Sequence, residues 1–153
     1  MAEAAPTPAP AQPPASLQIQ VLRLQPGDDL RGALEAAFRE ARAGGIEAAC
    51  VVSAIGSLSC AVLRYAEQAD GTQWVAPLEL LTLSGTLSVD GPHLHASVSD
   101  AEGRVRGGHL MRGCIVRTTA EVVLALLPGW RFGRATDAAT GFMELVASRL
   151  TGP

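Results

Sequence analysis

Residues 77–110, PLELLTLSGTLSVDGPHLHASVSDAEGRVRGGHL, decide the fold. Leu78, Leu80, Leu83, Leu87 and Val89 follow a strand-like alternation, and Asp90-Gly91 then turns the chain. His93 to Val98 opens a second strand, Asp100 to Gly103 turns it, and Val105 to His109 begins the return. Strand-like runs joined by short turns predict antiparallel neighbours, because a parallel pair needs a crossover of about a dozen residues.

Upstream, LQIQVLRL alternates at Leu17, Ile19 and Val21 and suits a first strand. PGDDL turns the chain and offers Asp28 or Asp29 as a helix cap. Leu30, Ala33, Leu34, Ala37, Phe38 and Ala41 then recur at helical spacing until Gly44-Gly45. IEAACVVSAI, bounded by Gly56, and SLSCAVLRYAE read as two central strands. Downstream, CIVRTTAEVVLALL reads as a long strand, GWRFGRATDA as a loop rich in Gly and Arg, and Thr140 to Ala147 as a final strand. The pattern predicts an α+β domain over residues 16–150, a mostly antiparallel, mixed sheet with one main amphipathic helix packed on it. Residues 1–15, nearly all Ala and Pro, read as a disordered arm.

The 153 residues suffice for one domain, and hydrophobic content of 48% against 18% charged allows some apolar surface to be hidden between subunits. Net charge is −3 and no run of cations occurs, a poor footprint for nucleic acid, whose phosphates demand clustered positive charge. Aromatic residues, at 4%, offer few stacking platforms. Cys50, Cys60 and Cys114 lie far apart in apolar runs and read as buried thiols in a reducing cytosol. MAEAAPTPAPAQPPAS lacks the cationic and apolar regions of a signal peptide, and no stretch is apolar enough to span a bilayer. A cytoplasmic protein is the expectation.

His93, His95 and His109 are all the histidines of the chain. On a strand, residues two apart share a face, so His93 and His95 present their imidazoles together. A hairpin closed at Asp100 to Gly103 brings His109 alongside; the other possibility is that it meets the pair across a subunit boundary. Gly107 and Gly108 remove Cβ atoms there and permit close backbone approach. Three neutral imidazoles with an open fourth position form a ligand set for Zn²⁺, and for Ni²⁺ or Co²⁺. Satisfied histidines of core or surface are the plainer alternative.

IGSL, LRY, HLH, the Asp100 to Gly103 turn and GGHL, in this order, resemble the PPC (plant and prokaryote conserved) domain over about residues 17 to 148. The resemblance implies a mostly antiparallel α/β fold, a homotrimer, and a divalent metal near the subunit boundary. By position, His93 and His95 match the family's His-x-His and His109 its Gly-Gly-His. Relatives in plants join the domain to AT-hook segments that enter the minor groove of DNA. This chain has no Arg-Gly-Arg-Pro core, so a DNA-associated regulatory role, with contact through Trp130 to Arg134, is the alternative rather than the first reading.

Arg64, expected on a central strand, is either an anion-binding group beside the metal or the ion-pair partner of Glu79 or Glu121. Glu121, the single acid in a long apolar run, is either an orienting or basic group at the site, a partner for Arg64, or an edge residue. Ser57 does not sit in a nucleophile elbow, and GRVRGG lacks the Gly-Lys-Ser/Thr end of a phosphate loop. A small anionic ligand on the metal, or hydrolysis there, is the expected use.

Overall fold

A computed structural model describes residues 16–150; the expected Ala/Pro arm at 1–15 lies outside them. The order of elements is β1 (Gln18–Leu24), α1 (Leu30–Ala43), β2 (Ala49–Arg64), β3 (Thr72–Ser88), β4 (Gly91–Ser99), β5 (Val105–Leu110), β6 (Ile115–Leu126), β7 (Trp130–Thr136) and β8 (Met143–Arg149). Six strands form one sheet in the order β1-β6-β2-β3-β4-β5, and β5 also pairs with β2. That last pairing closes β2, β3, β4 and β5 into a ring. Among the described residues every pairing between strands is antiparallel, and the single parallel link is a bridge from Glu47 to Arg131. The expected antiparallel, sheet-dominated α+β fold with one helix is present.

The helix forms where its apolar positions recur. Asp29 caps it, its carboxylate accepting from the Gly32 N–H at 2.7 Å, and its first buried residues are Leu30 and Leu34. Ala37 and Phe38 continue that face into a core shared with Leu58, Leu63, Leu87 and Leu124. The Leu30 N–H donates to the Cys114 carbonyl at 2.8 Å and Arg31 Nη1 to the Leu110 carbonyl at 3.1 Å, which ties α1 to the turn between β5 and β6.

Two expectations are corrected. IEAACVVSAI and SLSCAVLRYAE are not two strands: β2 runs unbroken through Gly56. A Cβ at Gly56 would lie 2.5 Å from the Thr119 carbonyl oxygen and 2.6 Å from Ala120 Cα, so this glycine marks the close approach of β6 and not a turn. GWRFGRATDA is not a loop either. Its Trp130–Thr136 portion is β7, paired residue by residue with β8 from Trp130↔Arg149 to Thr136↔Met143. The Phe132 N–H donates to the Glu47 carbonyl at 3.0 Å and the Val89 N–H to the Phe132 carbonyl at 3.3 Å, so the β7–β8 ribbon is fastened beside the turn between β3 and β4.

Cys50, Cys60 and Cys114 are unpaired thiols; Cys60 and Cys114 are buried and Cys50 half-buried. Burial pushes the Cys114 thiol up to about 11, which keeps it protonated and inert at neutral pH.

Candidate metal centre

The two tight hairpins of the quoted stretch set the site. β4 pairs with β3 from Glu79↔Ser99 to Ser88↔Gly91, and with β5 from His95↔His109 to Ser99↔Val105. His109 therefore stands directly opposite His95, while His93 shares the face of His95 two residues away. The hairpin turn is held by Asp100, which pairs with Arg104 at 2.8 Å and with Arg106 at 3.1 Å and has its carboxyl held well below the usual range by them. A rigid turn fixes the register, and the register delivers the third histidine within one chain.

Ring centroids lie 5.0 Å apart for His93 and His95, 5.1 Å for His93 and His109, and 5.5 Å for His95 and His109. One ligating nitrogen from each falls within 4.8 Å of the other two. Zinc–nitrogen bonds of about 2.0–2.1 Å place tetrahedral donors roughly 3.4 Å apart, a closure that rotation of imidazoles about their side-chain bonds can make. His109 Nδ1 is buried and has no hydrogen-bond partner among the described residues. Such an orphan costs roughly 1–3 kcal/mol unless something satisfies it.

Electrostatics favour free lone pairs. Burial, followed by the Arg64 guanidinium and the other two imidazoles, pushes His109 down to about 4. Burial, Arg134 and His95 lower His93 as well, against an opposing pull from Glu144. Both rings are neutral at pH 7, the state that coordinates a cation. The donor set and its spacing fit a borderline divalent ion.

Arg64 ends β2 and pairs in register with His109 on β5. A Cβ at Gly108 would lie 2.8 Å from the Arg64 carbonyl oxygen, so only glycine lets β5 come this close and set His109 beside Arg64. Arg64 Nη1 donates to the Gln68 carbonyl at 3.2 Å, and among the described residues it pairs with neither Glu79 nor Glu121. Glu121 is not brought to the histidines. It lies exposed on β6, in register with Arg23 and Ile55, and lines a separate cleft with Ser57, Glu79 and Arg117. Ser57 there shares a 2.5 Å hydrogen bond with the Thr118 hydroxyl.

Two residues at the site escape a reading from sequence. Arg134 of β7 and Glu144 of β8 both line the cavities that open on the histidines. The alternation of Trp130 and Phe132 with Arg131 was the available signal for β7, and nothing local marks Glu144.

A family model for the Plants and Prokaryotes Conserved (PCC) domain matches residues 11–128. The chain belongs to the PCC domain family. Among curated proteins, this PCC chain is 50% identical over 140 residues to the bifunctional protein GlmU of Synechococcus sp. (strain JA-2-3B'a(2-13)), a match covering 92% of the chain and 22% of that protein. It thus spans about a fifth of the length of the curated relatives it matches. A solved hypothetical protein from Salmonella enterica superposes with a TM-score of 0.82 at 39% identity, covering 88% of this chain and 95% of that one. A metal-containing protein from Archaeoglobus fulgidus superposes with a TM-score of 0.69 at 34% identity, covering 84% and 93%.

Proposed function

We propose that this PCC domain, over residues 16–150, binds one divalent metal ion per chain through His93, His95 and His109, as a homotrimer in the cytoplasm. Zinc is the first candidate and nickel or cobalt the alternatives, because neutral imidazoles suit all three. The observation that carries the reading is the convergence of three imidazoles whose ligating nitrogens lie within 4.8 Å of one another, one ring with an orphaned buried nitrogen. The metal-containing Archaeoglobus relative supports it.

Held by these histidines, such an ion would supply a Lewis-acidic centre at that position, suited to gripping a small anion or to hydrolysis. The chain's own residues prepare that position. Arg64 adds positive charge beside His109, and Gly108 permits the approach that puts it there. For the trimer, the support is exposed apolar surface: Ile19 and Val21, two apart on one face of β1, are 56% and 69% exposed, and Val75 on β3 is 77% exposed.

Metal analysis of tag-free protein tests the site. Near one ion per chain is expected, with His93→Ala and His109→Ala each losing most of it. Less than about a tenth of an ion per chain, with no uptake when zinc is added, overturns the reading.

A further inference from the structure

Arg64 and Arg134 reach the histidines from different parts of the fold, one from the end of β2 and the other from the β7–β8 ribbon. Neither pairs with a carboxylate among the described residues; Arg64 donates to the Gln68 carbonyl and Arg134 Nη1 to the Met143 carbonyl at 3.1 Å. Both are half-buried, and each guanidinium keeps donors free of any carboxylate that an incoming oxyanion can take up. They share a cavity of about 500 Å³ whose wall also includes His93, His109, Phe142 and Met143. A second lobe of about 260 Å³ adds Ser84, Thr86 and His95, with Arg134 and Glu144 lining both lobes.

We propose that the histidine cluster is the floor of an oxyanion-binding site, clamped by Arg64 and Arg134, that takes a carboxylate or phosphate monoester carrying an apolar group. The proposal rests on the three-histidine metal reading and names the ligand class of that site. A planar guanidinium presents paired N–H donors that match carboxylate and phosphate oxygens, so two of them flanking a cation select an oxyanion over a neutral ligand. The ribbon supplies the second half of the specificity. Phe142 is 74% exposed and Met143 54%, and both border the charged floor, so an apolar group on the ligand has a wall to cover. Glu144, whose Oε1 accepts from the Thr140 hydroxyl at 3.2 Å, places one negative charge on the ribbon side. It opposes a second anionic group and so favours a monoester over a polyphosphate.

Calorimetric titration of the zinc-loaded full chain with phenyl phosphate, benzoate and inorganic phosphate tests the proposal. Phenyl phosphate or benzoate is expected to bind, and the preference between them identifies the oxyanion. Phenyl phosphate should exceed inorganic phosphate by roughly tenfold through its ring. Arg64→Ala and Arg134→Ala should each weaken binding roughly tenfold at unchanged zinc content, and Arg134→Lys should recover only part of it. No binding of phenyl phosphate or benzoate at millimolar concentration to protein shown to hold zinc overturns the proposal. So does wild-type affinity in both arginine variants. If zinc is never taken up yet binding remains dependent on both arginines, the metal reading fails and the oxyanion site stands.

Discussion

His109 carries most of the chemistry that one residue can carry here. Its pKa of about 4 lies below the ordinary histidine value of 6.5, because burial and the Arg64 charge disfavour the imidazolium. Between those values the unfolded chain binds a proton that the folded chain refuses, so stability must fall as pH drops through that window. Above it the ring is neutral in both states and costs nothing. In chelator-treated protein, urea midpoints are expected to decline from about pH 6.5 towards pH 4, and His109→Ala should flatten that decline. A profile unchanged by the substitution would place the pH dependence elsewhere. From sequence, strand alternation grouped His93 with His95, and His109 joined them only through an assumed hairpin and the family resemblance. The lowered pKa of His93 and His109 was not legible there, since it arises from burial and from arginines on other strands.

At the scale of elements, the approach of β5 to β2 matters most. Gly108→Ala puts a methyl 2.8 Å from the Arg64 carbonyl oxygen, against 3.3 Å from the Ala96 carbonyl oxygen for Gly107→Ala. The first substitution is expected to lower stability by about 1–3 kcal/mol, and the second by less, in denaturant unfolding. Equal effects would mean that the β2–β5 closure is not tight. The cap at Asp29 is a second element-scale contact, for its carboxylate also accepts from the Gly113 N–H of the β5–β6 turn. Asp29→Ala is expected to cost about 1–2 kcal/mol, readable as a lower Tm. The helix, the hairpin turns and β6 were legible because their period or turn residues are local. The continuity of β2 was not, since a glycine chosen for a close crossing looks the same in sequence as one chosen for a turn. β7 was missed for a related reason: its partner β8 follows only after a connection, and its arginines resemble loop residues until that pairing is known.

For the whole molecule, charge and apolar surface lead to different expectations. The net charge is −3, and of the arginines at the alternative DNA contact Arg131 is paired with Glu47 at 3.1 Å, while the neighbouring Arg149 lies over the Trp130 ring at 4.0 Å, which leaves Arg134 as the one guanidinium of that contact without a carboxylate among the described residues. Duplex DNA is therefore expected not to shift in a gel at low salt with micromolar protein. Retention that vanishes steeply as salt rises would reverse that view. The exposed apolar strands predict, for the trimer, a sedimentation mass three times the 15.8 kDa chain, whereas a mass of one chain would leave those faces to another partner. Among the described residues no helix is long and apolar enough to cross a membrane.

Sequence by itself determined the antiparallel meander, the capped helix and the grouping of His93 with His95, because each depends on periods and turns within a few residues. The resemblance to the family also marked His109 as the third member. Only the tertiary structure decided that His109 faces His95 in the same chain, that Arg64 lies beside it while Glu121 lies on another surface, and that Arg134 and Glu144 complete the walls. These placements depend on strand register and on the closure of β5 against β2, where distant segments must fit one another at atomic contact. Local preferences cannot encode that fit, since the packing of the whole chain sets it.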